Sequence, residues 1–456
     1  MTKTIHARRA LTAEGWLDKA VIEVDDAGIV ASVGQDGFDP ARAVGTLLPG
    51  MANCHTHSFQ RAMAGLAEHR GPGGEDDFWS WRTVMYRFLD VLTPEDIEAI
   101  AAQVQVDMAE AGYTASAEFH YVHHQPGGTR YDDPAETSAR IMAASEASGI
   151  GLTHLPVLYT HGGLDRRALE GGQVRFGCTP DEFATLCQRI AGHGSAMPPD
   201  FRLGVAPHSL RAVDEAGLAA CIALAPDGPI HIHAAEQTAE VEQVEAHLGA
   251  RPVRWLLDNQ PVDHRWCLIH ATHLDESEIA GLAASGAVAG LCPTTEANLG
   301  DGVFPAGPYL AQGGRIAVGS DSNIRISLAE ELRMLELSQR LHLRRRVVLA
   351  DADCPSNGRN LYSRAAAGGA AAIGRNAGAI AAGKLADFTA LRDDLPLLCH
   401  PDPDRTLDAW IFGMEQSCVG DVWSAGRHIV REGRHVAREG IAQRFRTALD
   451  RLRAAL

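Results

Sequence analysis

From about Leu47 to Ile324 the chain alternates short runs of aliphatic and β-branched residues with longer segments in which apolar positions recur every three or four residues. That alternation is the signature of a parallel sheet wrapped by helices: strands buried on both faces read as continuous apolar runs, and each crossover needs an amphipathic helix. Eight β-type runs are legible: "GTLLPGMANCHTH", "GYTASAEFHY", "GLTHLPVLY", "FRLGVAPHS", "PIHIHAAE", "RWCLIHAT", "AVAGLCPTT" and "RIAVGSDS". Between them Pro94 to Gly112, Pro134 to Gly149, Pro180 to Gly194 and Val241 to Asn259 carry helical periodicity punctuated by Pro or Gly. Eight strands separated by helices predict an α/β fold, a (β/α)8 TIM-type barrel over residues 48–377.

The flanks read differently. "KAVIEVDDAGIVASVG" holds two alternating runs around a turn at Asp26-Ala27-Gly28, and "DFTALRD" and "SCVGDVWSAGRHIVREGRHV" repeat that character with Gly-centred turns. Residues 1–47 and 378–456 are therefore expected to form one small β-sandwich domain built from both termini. The last stretch places Ile441, Phe445, Leu449, Leu452 and Leu456 on one stripe, predicting a terminal amphipathic helix. The run Arg344-Arg345-Arg346 reads as a solvated helix face.

Composition narrows the partners. A formal charge of −17 argues against nucleic acid or an anionic membrane surface, which leaves small molecules. The nine cysteines have no CxxC pair or regular spacing, so neither a disulfide framework nor a thiolate zinc site is suggested. With no apolar signal core in "MTKTIHARRALTAEGW" and no run long enough to span a bilayer, a soluble cytoplasmic protein is expected, with a homodimer as the expected assembly. Lysine occurs only at Lys3, Lys19 and Lys384, so Arg supplies every fixed positive charge in the middle of the chain.

In a barrel of this kind reactive groups sit at the carboxyl ends of the strands. The first run ends in His55 and His57, the fifth in His231, His233 and Glu236, the sixth in His270 and the eighth in Asp321. Residues two apart on a strand face the same way, so His55 and His57 aim into one volume. Neutral imidazoles and one carboxylate suit Zn2+, one per subunit, or another divalent ion, and the expected ligands are His55, His57, His233 and Asp321. Taken singly, His233 could be a core histidine and Asp321 a helix cap; the coincidence at the strand ends favours the ion. His231 lies one layer deeper, where it packs or supports a ligand. Glu236 is placed to move a proton from the attacking water to a leaving nitrogen, against a plainer reading as a helix N-terminal charge. His270 would orient the water or stabilise an oxyanion, and Asp321 would help draw off the proton.

At this point the chain resembles the amidohydrolase superfamily across almost its full length: the H-x-H, the His residues of the fifth and sixth runs, the Asp of the eighth and the segment "GAIAAGKLADFTAL". Members that bridge two metals use a carboxylated lysine that this barrel cannot provide, so the resemblance is to the mononuclear deaminase branch. "HTHSFQRAMAGLAEHR", "DDFWSWRTVMYRF", "EFHYVHH", "APHSLRAV" and "CPTTEANLGDG" are similar to the N-formimidoyl-L-glutamate deiminases of histidine degradation. That resemblance implies hydrolysis of a formimidoyl C=N to formyl with release of ammonia, and substrate contacts from Gln60, Arg82, Tyr121, His208 and Arg211. A dianionic substrate agrees with two Arg residues on the mouth side, since guanidinium matches carboxylate bidentately. Trp79 and Trp81 would pack the loop over the mouth. One departure is Asn323, where the family pattern has His beside Asp321. Two rivals stay open: a mononuclear aminohydrolase of a purine or pterin-like ring amidine, and a metal-free scaffold protein.

Overall fold

The chain opens with β1 (Lys3–Thr12), β2 (Gly15–Val24), β3 (Val30–Gly34) and β4 (Val44–Pro49), where β2 lies antiparallel to β1 and β3, and β4 runs parallel to β1. Then β5 (Met51–Thr56), β6 (Tyr113–His120), β7 (Gly151–Leu158) and β8 (Arg202–Leu203) form a parallel sheet in that order, with β9 (Ala206–Pro207) also paired to β7. A second parallel sheet follows, in the order β10 (Ile230–Ala234), β11 (Trp266–His270), β12 (Val288–Leu291) and β13 (Arg315–Val318). Isolated parallel bridges, Val205 to Ile230 and Thr56 to Asp321, join the edges of the two sheets. Finally β14 (Phe388–Leu391), β15 (Val419–Ser424), β16 (Arg427–Arg431) and β17 (Arg434–His435) return to the first sheet, whose order is β17-β16-β15-β14-β4-β1-β2-β3. This computed structural model describes residues 3–66, 68, 78–415 and 417–455, excepting the side chains of 78–80, 82 and 83.

Several expectations need correction. The run "GTLLPGMANCHTH" is two strands in two different sheets, β4 and β5, divided at Gly50. Gly50 donates its N–H to Asp387 O at 2.7 Å, and a Cβ there would fall 2.5 Å from the Thr114 side chain, so the chain changes sheets where only glycine fits. "FRLGVAPHS" is likewise split into β8 and β9, and "KTIHARRALT" forms a strand, β1, that the alternation around Asp26 had not revealed. The segment Val241 to Asn259 belongs to two helices, Thr238–Leu248 and Pro252–Asn259, broken by left-handed Gly249 (φ 76°) and by Pro252. Arg344 to Arg346 lie just past the helix Leu328–Leu343 and not on its face.

Other elements follow their local signals. Pro94–Ala111 starts from a reciprocal capping box between Thr93 and Asp96, has Pro at its first position and ends on left-handed Gly112. The helix Arg438–Ala455 buries Ile441, Ala448 and Leu452 and half-buries Phe445 and Leu449, so the predicted stripe drifts onto Ala448; Leu456 lies outside the described residues. Every residue of β6 and β7 is buried, as parallel strands covered on both faces require.

The parallel sheets and their helices share one apolar core, and the mainly antiparallel sheet has a second, built from residues such as Ile22, Val24, Leu47, Phe388 and Trp423. An ion network ties the two together. Arg375 meets both Asp387 oxygens at 2.6 and 2.9 Å and Asp200 at 2.9 Å, while Arg427 grips Asp200 at 2.7 and 2.8 Å. Asp387 also accepts the Ala425 N–H at 2.6 Å. Among the described residues no helix is long and apolar enough to cross a membrane.

Candidate active site

The carboxyl ends of β5, β10, β11 and β13 meet at one mouth. His57 N donates to Asp321 O at 2.9 Å and Asp321 N to His55 O at 3.0 Å, which stitches the segment after β13 onto the end of β5. Gly319 permits this contact, because a Cβ there would lie 2.8 Å from both the N and O of His55. Backbone strain concentrates at these ends: Ala235, His270, Ala271 and Asp321 adopt φ of 53°, 68°, 49° and 44°. Left-handed conformations in non-glycine residues cost energy and persist where surrounding contacts impose them.

Three ring nitrogens converge. His55 Nε2 lies 3.2 Å from His57 Nε2 and 3.1 Å from His233 Nε2, and Asp321 Oδ1 stands 3.4 Å from the Nε2 atoms of both His55 and His57. The tautomers are set from behind. His57 Nδ1 donates to Phe119 O at 3.0 Å and His233 Nδ1 to His208 O at 3.1 Å, so both Nε2 atoms present lone pairs to the centre. His55 Nε2 can donate to only one of them, and the remaining lone pair faces another acceptor. Burial pushes all three imidazoles down from their ordinary pKa, holding them neutral. Three ring nitrogens with a carboxylate oxygen 3.4 Å from two of them suit a cation: ligands about 2.0–2.1 Å from a tetrahedral centre are themselves about 3.4 Å apart.

Beside this cluster, His270 Nδ1 donates to Glu296 Oε1 at 3.2 Å, which turns Nε2 toward Glu236 Oε1 at 3.7 Å and Asp321 Oδ2 at 3.9 Å. Burial alone would lower the His270 pKa; the Glu236, Glu296 and Asp321 carboxylates outweigh it and raise it well above the ordinary value. Burial raises the pKa of Glu236 as well, with His270 and Arg211 opposing. Its backbone N–H is held by Glu240 Oε2 at 3.0 Å, and the next residue, Gln237, bonds Asp301. Asp301 N donates to Glu296 O at 2.9 Å and Asp301 O accepts from His273 Nε2 at 2.8 Å, so Asp301 links the segments that carry Glu236, His270 and Glu296. Burial and the nearby Glu236 charge push Asp301 up to about 9.

The cavity above these groups has a volume of about 640 Å³ with its mouth, and its lining includes Gln60, Trp81, Tyr121, His208, Arg211 and Glu236. Gln60 donates to Tyr121 Oη at 2.8 Å, leaving its own buried Oε1 without a partner. Arg211 Nε is also buried without a hydrogen-bond partner; burial opposes its charge, but Glu240 and Glu236 hold it protonated. His208 packs edge-on to Tyr159, ring centres 4.6 Å apart. Arg82 and Trp79 lie on the helix Phe78–Leu89, which brings Trp81, Met85 and Tyr86 to the cavity, but their own side chains fall outside the described residues.

Residues 46–429 match the amidohydrolase family. The chain belongs to the amidohydrolase family. This amidohydrolase is 49% identical over 437 residues to a formimidoylglutamate deiminase of Pseudomonas aeruginosa, covering 94% of each chain. It is 27% identical to a 5-methylthioadenosine/S-adenosylhomocysteine deaminase of Natronomonas pharaonis, covering 89% of this chain and 87% of that one. Among solved structures, an amidohydrolase from Brucella melitensis superposes with a TM-score of 0.94 at 46% identity, over 98% of this chain and 99% of the other. A zinc-bound adenosine deaminase from Xanthomonas campestris shares the fold, with a TM-score of 0.81 at 22% identity over 99% and 98% of the two chains.

The structure of this amidohydrolase brings together His55, His57, His233, Glu236, His270 and Asp321, and lines the cavity with Gln60, Tyr121, His208 and Arg211. His231 is buried, its Nε2 bonded to Ala372 O at 2.7 Å and not to any of the clustered histidines, so of its two expected roles the packing one matches the contacts. Asn323 braces the site: its Nδ2 reaches Thr56 Oγ1 (2.7 Å), His57 O (3.1 Å) and Asp321 O (3.0 Å), and its Oδ1 accepts from Ser320 Oγ at 2.7 Å. Sequence reasoning missed Glu240, Glu296 and Asp301. Glu296 and Asp301 sit in "CPTTEANLGDG", past the seventh run, where two acidic residues were the available signal.

Proposed function

We propose that the chain hydrolyses the formimidoyl C=N bond of N-formimidoyl-L-glutamate, giving N-formyl-L-glutamate and ammonia. One observation carries this: a single cavity has a buried guanidinium with an unpartnered Nε, Arg211, in its lining, and at its floor the acceptor cluster flanked by Glu236 and His270. An amidine is cationic near neutral pH and complements the carboxylates of Glu236 and Asp321; the carboxylates of the glutamate moiety complement Arg211 and, by the same reasoning, Arg82. The identity to the Pseudomonas aeruginosa enzyme supports the same substrate.

The acceptor set fits a divalent ion, and we assign His55, His57, His233 and Asp321 to hold it, with zinc the best match to three imidazoles and a carboxylate. Bound there, the ion supplies Lewis acidity that makes a water nucleophilic near neutral pH. The chain's own residues do the rest. Gln60 Oε1 and Tyr121 hold the amide side of the substrate, and His208 and Arg211 hold its carboxylate end. Asp321 Oδ2 orients the attacking water, and Glu236 collects its proton and delivers it to the departing nitrogen. His270 Nε2 donates toward the oxygen at the tetrahedral carbon, with Glu296 fixing the ring.

We also infer that β5 to β13 close into a (β/α)8 barrel over residues 48–377, supported by the bridges at both sheet edges, and that 1–47 and 378–456 form the small β-domain. The test is turnover of N-formimidoyl-L-glutamate with identification of the product. Formylglutamate and ammonia in equal amounts are expected; release of glutamate, or preference for a purine over formimidoylglutamate, overturns the reading.

A further inference from the structure

A second donor set shares Asp321 with the first. A ring nitrogen of His270, the Cys292 thiol and an Asp321 carboxylate oxygen lie within 4.8 Å of one another, and all three residues are buried. His270 Nε2 stands 3.9 Å from Asp321 Oδ2, whereas Asp321 Oδ1 is the oxygen 3.4 Å from His55 and His57; Glu236 Oε1 lies 3.7 Å from the same His270 nitrogen. Behind it, His270 Nδ1 donates to Glu296 Oε1, the carboxylate–imidazole arrangement that orients a metal-ligating histidine. Glu296 Oε1 also accepts the Cys292 backbone N–H at 2.8 Å, which fixes the thiol-bearing residue relative to the imidazole.

We propose that His270, Cys292 and Asp321 form a second, inhibitory site for a thiophilic divalent cation such as Zn2+ in excess or Cd2+. A soft thiolate with one imidazole and one carboxylate suits such ions, which take tetrahedral geometry with water in the fourth position. Binding forms bonds from the cation to sulfur, nitrogen, one carboxylate oxygen and a water, and releases to solvent the Cys292 thiol proton and any proton on His270 Nε2; no electron moves. The bound cation occupies His270 Nε2 and Asp321 Oδ2, which the proposed reaction needs free, so occupancy stops turnover while the first ion stays in place. The proposal rests on the reading of the first site only through the shared Asp321.

The experiment titrates dialysed enzyme that retains its first ion with Cd2+, following metal content, the ultraviolet thiolate-to-cadmium absorption and turnover in parallel, beside C292S and C292A. Wild type should take up a second ion, develop the band and lose activity, and a weak chelator should restore it. Both variants should keep turnover within about twofold, lack the band and need about ten-fold more Cd2+ or Zn2+ for the same inhibition. A band that persists in C292A, or inhibition equal in all three proteins, overturns the second site. Failure of wild type to retain any ion on dialysis counts instead against the His55 site, and the Cys292-dependent band on that protein still reads the second one.

Discussion

The cluster around His55 and the network around Arg375 both bury charged or titratable groups, yet they are built in opposite ways. Around Arg375 every charge meets its complement: one guanidinium against two carboxylates, a second guanidinium on the outer one, and a backbone N–H on the inner one. Around His55, acceptors at 3.1–3.4 Å outnumber the protons available between them, and left-handed backbone lies at the same strand ends. Since an unsatisfied buried polar group costs free energy that a satisfied one does not, the first arrangement stabilises the fold by itself, and the second makes sense once something cationic is counted in. The difference separates a joint from a reaction centre without reference to any relative.

That contrast can be broken at either end. On the reactive side, Glu236→Gln should lower kcat by about two orders of magnitude or more while metal content and thermal stability hold; near-normal turnover would remove Glu236 from proton transfer. On the structural side, Arg375→Met leaves Asp387 and Asp200 buried with too few partners and should cost about 3–5 kcal/mol in denaturant unfolding, with kcat preserved in the folded fraction. If stability were unchanged, the network would not be the joint described. Arg211→Met sharpens the difference. KM for formimidoylglutamate should rise about ten- to a hundred-fold, as loss of a charged hydrogen bond implies, while stability should fall less than in Arg375→Met, because Arg211 Nε has no protein partner and only the attraction of Glu240 and Glu236 is lost. An unchanged KM would place the carboxylate elsewhere.

The smallest effect is a pH dependence confined to the joint. Burial opposes ionisation of Asp200, but Arg427 and Arg375 outweigh it and bring its pKa down to about 2, below the ordinary carboxylate value. A carboxylate depressed in the folded state contributes stability that is present above its unfolded pKa, near 4, and is lost as pH falls toward 2. The stability gap between wild type and Asp200→Asn, roughly 2 kcal/mol from this term at neutral pH, should therefore shrink between about pH 4 and pH 2, measured by urea unfolding at each pH. A gap constant over that range would show that the ion pairs with Asp200 do not contribute to stability.

Much of this was legible from patterning, and what was missed has physical causes. His55, His57, His233, His270 and Asp321 each end a recognisable β-type run, so their types and places on the strands were readable before any contact was known. Glu296 was hidden because it lies in the first turn of a short helix, where an acidic residue ordinarily has a local reason to be, and its contact with His270 gives it another. Gly50 looked like an interruption in one strand because a sheet change leaves no hydrophobic signature, only the close approach of Thr114 and Asp387. Asn323 appeared as a departure until its four hydrogen bonds showed what an amide does there.

Local order along the chain determined the alternation of strands and helices, the absence of a lysine that could bridge two metals, and which side chains end each strand, because periodicity, capping and composition act over a few residues at a time. Only the folded molecule decided that His55 and Asp321, 266 positions apart, share a carbonyl and an amide, and that Asp301 ties three loops together. It also set which nitrogen of His57, His233 and His270 is left to face the centre. Those outcomes depend on where a backbone carbonyl from a distant strand happens to point, and no short-range pattern carries that information.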